Sequence, residues 1–87
     1  MVLFLDGSGW PANQPRLRLC AWAVTGADGK LVASGPLPGR PQTINRAELY
    51  AAWQALSSAR DKVCLVTDSK YTFDKIRALL SGDLCLV

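Results

Sequence analysis

Residues 43–68, TINRAELYAAWQALSSARDKVCLVTD, decide the fold. In the first part, Leu49, Ala52, Trp53 and Leu56 recur at i, i+3, i+4 and i+7, the spacing of one apolar helix face. Thr43 or Asn45 can cap the start of that helix. Asp61-Lys62 breaks the pattern, and VCLVT (63–67) is a continuous apolar run of the kind that forms a strand buried on both faces. The helix is long enough to serve as a crossover, so this strand can lie parallel to an earlier one. An α/β fold is expected.

Working outward, VLFLD (2–6) reads as a strand stopped by Gly7-Ser8-Gly9, and residues 7–15 read as a loop rich in Gly and Pro. LRLCAWAVT (17–25), the turn at 26–29 and KLVAS (30–34) form a β-hairpin around an Asp-Gly pair. GPLPGRPQ (35–42) is a second loop. Beyond residue 68, Ser69 can cap a second helix with an inner stripe of Phe73, Ile76 and Leu80, ended by Ser81-Gly82. The apolar tail DLCLV (83–87) is assigned to no element. The order is β-β-β-α-β-α, and the whole chain, 1–87, is one domain.

Composition bounds the class. The chain has 87 residues, 49% of them hydrophobic and 20% charged, as in globular rather than disordered proteins. No apolar run approaches the ~18 residues of a membrane span. Asp6 interrupts MVLFLDG too early for a secretory signal, so the expected address is cytoplasmic or nuclear. Cys20, Cys64 and Cys85 are widely spaced in apolar context, and the chain has no histidine, so reduced thiols are expected. The net charge of +3 permits contact with a polyanion, for which Arg16, Arg18, Arg40 and Arg46 offer a local patch.

Three acids stand where apolar runs meet polar sequence: Asp6, Glu48 and Asp68. If the fourth strand lies beside the first, Asp6 and Asp68 end adjacent parallel strands, at the edge where open α/β sheets bind ligands. Glu48, about one turn into the helix, can lean toward the same point. Each acid also has a purely structural explanation. Asp6-Gly7 can be a turn, Glu48 can close a capping box with Asn45, and Asp68 can favour a helix start. Together, however, three close carboxylates repel one another, and a hard cation such as Mg²⁺ removes that cost. Two such ions roughly 3.5–4 Å apart activate a water and stabilise the leaving oxygen of a phosphodiester.

LFLDGS, CAWAV, GRPQTINRAELYAAWQAL and VTDSKY, in this order, resemble the first half of the type 1 ribonuclease H domain, over about residues 2–80. The resemblance implies a ribonuclease H-like α/β fold: three antiparallel strands, a crossover helix, a parallel fourth strand and a second helix, truncated before the fifth strand. It implies a metal-dependent endonuclease, with Mg²⁺ as cofactor and Mn²⁺ as substitute, that hydrolyses the RNA strand of RNA–DNA hybrids. Cellular enzymes and retroelement polyproteins both carry such domains. Asp6, Glu48 and Asp68 match its catalytic metal ligands. Asn45 matches a position beside the nucleic acid, with Gln42 and Thr43 assisting and Gly7 and Ser8 adjoining. Glu48 matches a glutamate that in the family also lies near the 2′-hydroxyl, the group whose readout would distinguish RNA from DNA.

The sequence also departs from the family. Members continue with another strand, further helices and a fourth acidic residue, a place that Asp74 and Asp83 do not take. The alternative reading is therefore a catalytically dead remnant that binds nucleic acid, or a fragment completed by a partner chain or larger polyprotein. A third reading is an ordinary α/β domain whose acids only serve turns and caps.

Overall fold

A computed structural model of the chain describes residues 2–11, 13–14, 16–58, 63–79 and 84–86. The elements in chain order are β1 (Val2–Trp10), β2 (Leu19–Gly26), β3 (Leu31–Pro36), α1 (Ile44–Ser58), β4 (Cys64–Thr67), α2 (Lys70–Leu79) and β5 (Leu84–Leu86). They build one sheet of order β3-β2-β1-β4-β5. The pairs β1–β2 and β2–β3 are antiparallel, whereas β4 lies parallel to β1, with Phe4 opposite Val66. The crossover expected from residues 43–68 is therefore present, and the fold is α/β of the ribonuclease H-like kind. No helix among the described residues is long and apolar enough to cross a membrane.

The hairpin forms as its Asp-Gly turn dictates. Gly29 adopts φ 80°, a conformation glycine takes without steric cost, and the Asp28 carboxylate accepts the Lys30 N–H at 3.0 Å. The helix starts also follow from sequence. Thr43 Oγ1 accepts the Arg46 N–H at 3.2 Å, and Ser69 Oγ accepts the Thr72 N–H at 3.2 Å. Asn45 is not the cap.

Three sequence expectations need correction. First, β1 does not stop at Gly7: it stays paired with β2 through Trp10, opposite Leu19. Second, α1 turns its alanines inward, not Trp53. Ala47, Ala51, Ala52 and Ala55 are at most 2% exposed, whereas Trp53 is 67% exposed and Leu49 and Leu56 flank the core. On α2 the inward positions are Thr72 and Ile76, with Phe73 half-buried. Third, the sheet does not end at the fourth strand, because Leu84–Leu86 adds β5 parallel to β4. The expected breaks at Asp61-Lys62 and Ser81-Gly82, together with Leu80 and Asp83, lie outside the described residues.

The alanine face and the glycine in β1 are two halves of one contact. A Cβ on Gly7 would stand 3.0 Å from Ala47 Cβ, from Glu48 N and from Ile44 O. The first turns of α1 thus rest directly on the β1 backbone. A glycine inside a strand here marks close approach by another backbone, not a chain break. Leu3, Leu5, Cys20, Trp22, Val24 and Leu65 fill the remaining space beneath the helices. Neither Cys20 nor Cys64 is in a disulfide; the first is buried and the second half-buried.

Candidate active site

The contact between β1 and α1 places Glu48. Its residue is 4% exposed, and its Oε1 accepts the Gly7 N–H at 2.8 Å across the interface. Oε2 faces the Thr67 hydroxyl, which donates from the end of β4 at 3.4 Å. The capping-box explanation for Glu48 therefore fails: the carboxylate points across to the sheet and not back to Asn45.

Register places the two aspartates. The β1–β4 ladder pairs Val2 with Cys64, Leu3 with Leu65 and Phe4 with Val66. Extended by two residues, it sets Asp6 level with Asp68. Contrary to the expectation from sequence, Asp6 does not end its own strand, which runs on to Trp10. It stands where β1 runs on past the end of β4, and both aspartates are exposed. The turn carrying Asp68 is fixed from both sides, since Thr67 Oγ1 accepts the Ser69 N–H at 3.1 Å while Ser69 caps α2.

Electrostatics joins the three acids. Burial pushes the Glu48 carboxyl above the usual carboxylate range, the Gly7 N–H opposes that shift, and Asp68 and then Asp6 raise it further by repulsion. The Thr67 hydroxyl opposes it weakly. Asp68 and Asp6 are therefore each close enough to act on Glu48. Even so, among the described residues no three acidic or thiol side chains stand close enough together, as they lie, to hold a metal ion. The remaining described acids serve elsewhere: Asp28 holds the hairpin turn, and Asp74 pairs with Lys70 at 2.9 Å on the surface of α2.

The nucleic-acid residues expected from sequence fall into two groups. Ser8 and Asn45 are exposed, and Thr43 is half-buried at the start of α1. Gly7 and Gln42 instead spend their polar groups within the protein. The Gly7 N–H goes to Glu48, and the Gln42 carboxamide makes hydrogen bonds of 2.7 Å with Cys20, Leu37 and Gly39. Of the basic patch, Arg40 and Arg16 are exposed. Arg18 and Arg46 each donate to a backbone carbonyl at 3.3 Å, of Pro11 and Pro41 respectively. Sequence reasoning assigned no role to Thr67, which is 1% exposed and links Glu48 to the Asp68 turn. A threonine ending an apolar run is an ordinary core residue by pattern, so only the fold reveals the link.

The sequence model of the RNase H family matches residues 1–83, nearly the whole chain. None of the curated proteins matches it.

Proposed function

The chain belongs to the RNase H family, whose name denotes nucleases of RNA–DNA hybrids, and on that premise we propose that it hydrolyses the RNA strand of such hybrids endonucleolytically with Mg²⁺, for which Mn²⁺ substitutes. The observation that carries the reading is the buried Glu48, desolvated and repelled by both Asp68 and Asp6. A carboxylate kept ionised there is costly, and an oxygen-seeking dication is the partner that relieves the cost. The donor set fits: Asp6, Glu48 and Asp68 offer only hard carboxylate oxygens, and both aspartates are exposed. Held by Asp6, Glu48 and Asp68, such an ion would supply an activated water as nucleophile and charge stabilisation for the leaving oxygen.

The other roles fall to this chain's own groups. The Gly7 N–H and the Thr67 hydroxyl orient Glu48. Ser8, Thr43 and Asn45 meet the hybrid along the edge where β1 passes the start of α1. Asn45 there offers both donors and an acceptor to a 2′-hydroxyl, the group that separates RNA from DNA.

One observation favours a second reading. The described residues bring three carboxylates to the site, with Asp28 and Asp74 committed elsewhere. Hybrid binding without cleavage, or cleavage only with a partner chain, would follow if three do not suffice. End-labelled RNA in a hybrid decides between the readings. Fragments appearing with Mg²⁺ or Mn²⁺ and lost in Asp6→Asn, Glu48→Gln and Asp68→Asn support the nuclease. Hybrid retention with intact RNA supports the second reading, and neither binding nor cleavage sinks both.

A further inference from the structure

Where the chain leaves β3, a side chain stands in the sheet ladder. The β2–β3 register pairs Ala21 with Pro36, so the next pair is Cys20 with Leu37. An antiparallel pair of that kind exchanges two N–H···O=C bonds. Only one is made directly: the Leu37 N–H donates to the Cys20 carbonyl at 2.8 Å. The other half is bridged by Gln42. Its Oε1 accepts the Cys20 N–H at 2.7 Å, and its Nε2 donates to the Leu37 carbonyl at 2.7 Å. The second Nε2 proton goes to the Gly39 carbonyl, also at 2.7 Å.

This arrangement leaves no freedom in the carboxamide. Both amide protons are used, and reversing the group would set NH₂ against an N–H and an oxygen against two carbonyls. One side chain thus opens the ladder at a defined point and fixes the path of residues 37–42. Gly39 bends that path at φ 73°, and the Arg46 guanidinium, reaching back from α1, lies against Gly39 and donates to Pro41 O. The path leads straight into Thr43, the cap of α1, and then Asn45.

We propose that Gln42 is a positioning residue for hybrid binding: its carboxamide, inserted between Cys20 and Leu37, places Thr43 and Asn45 against the RNA strand without itself touching it. This rests on the proposed nuclease reading. It assigns Gln42 a different role from direct contact, and it leaves the carboxylate site untouched.

The test uses Gln42→Glu, which keeps side-chain length but cannot donate to Leu37 or Gly39, beside Gln42→Ala. Three quantities are read on the whole chain: exchange of the Cys20 amide proton, affinity for an RNA–DNA hybrid, and affinity for Mn²⁺ alone. Gln42→Ala should expose the Cys20 amide to exchange. Both variants should weaken hybrid binding about tenfold, the effect of one lost well-formed polar interaction, with Mn²⁺ affinity unchanged. An unchanged Cys20 exchange rate in Gln42→Ala overturns the proposal, as does unchanged hybrid affinity. Parallel loss of hybrid and Mn²⁺ binding also overturns it, since that marks general damage to the fold. If the parent binds no hybrid, the nuclease reading itself has failed, and that result is distinct from a parent that binds while its Gln42 variants are indifferent.

Discussion

Gly7→Ala tests the contact on which the site is built. The added Cβ would meet Ala47 Cβ, Glu48 N and Ile44 O, each at 3.0 Å. Two of these atoms belong to the helix backbone and cannot swing aside as a flexible side-chain end does. Either α1 retreats or β1 bends, and overpacking of this kind costs ~1–3 kcal/mol. A retreating α1 also stretches the 2.8 Å bond from the Gly7 N–H to Glu48. Bonds to charged acceptors contribute ~1.5–3 kcal/mol, of which part is lost. The smaller entropy of an unfolded chain with alanine offsets about 0.4–1 kcal/mol. The net expectation is a loss of about 1.5–3 kcal/mol, and each kcal/mol lowers Tm by roughly 4–8 °C in a domain this small.

Urea unfolding followed by far-UV circular dichroism, in chelator at pH 7, measures that loss. Gly35→Ala is the control, because its Cβ would meet the Trp22 ring at an ordinary 3.4 Å. It should be neutral or slightly stabilising. If Gly7→Ala unfolds within ~0.5 kcal/mol of the parent, the range of an inconsequential substitution, the close approach of α1 is not a constraint. Equal losses at Gly7 and Gly35 would refute the reasoning as surely.

Two further outcomes are expected. Thr72 is fully buried, and among the described residues its Oγ1 has no hydrogen-bond partner, so Thr72→Val should stabilise the chain by ~1 kcal/mol in the same assay. Glu48→Gln should change how stability depends on pH in metal-free buffer. Because the folded Glu48 carboxyl titrates above its unfolded counterpart, the folded state holds the extra proton between the two values, and parent stability falls as pH rises through that window. The variant should lack that fall, being more stable than the parent at neutral pH and losing the advantage in acid. A parent and variant that differ equally at all pH values would exclude burial and repulsion as the cause.

Much of this architecture was legible because it is local. The Asp-Gly hairpin, the Thr43 and Ser69 caps and the buried run before Asp68 each declare themselves within a few residues. What escaped depends on contacts between elements distant in sequence. Gly7 and Gly9 read as breakers, since nothing nearby shows that α1 rests on the first or that the Arg18 and Cys20 side chains crowd the second. The large residues of α1 suggested the wrong inward face. Small residues let a helix approach a sheet, and alanine carries too weak a signal to announce that. Leu84–Leu86 pairs in parallel with β4, a non-local contact that three apolar residues after a helix end do not announce. The three candidate acids stand out in the sequence by position alone. The bonds that orient Glu48, from Gly7 and Thr67, and the insertion of Gln42 between Cys20 and Leu37, required the fold.

The central claim is that Asp6, Glu48 and Asp68 act as one cation site. Titration of the chain with Mn²⁺, reading free ion by its electron paramagnetic resonance signal, measures this without nucleic acid and without turnover. Saturable binding by the parent, lost in Asp6→Asn and in Asp68→Asn while both variants stay folded, is the predicted result. Equal Mn²⁺ binding by the parent and by Asp6→Asn/Glu48→Gln/Asp68→Asn would contradict it.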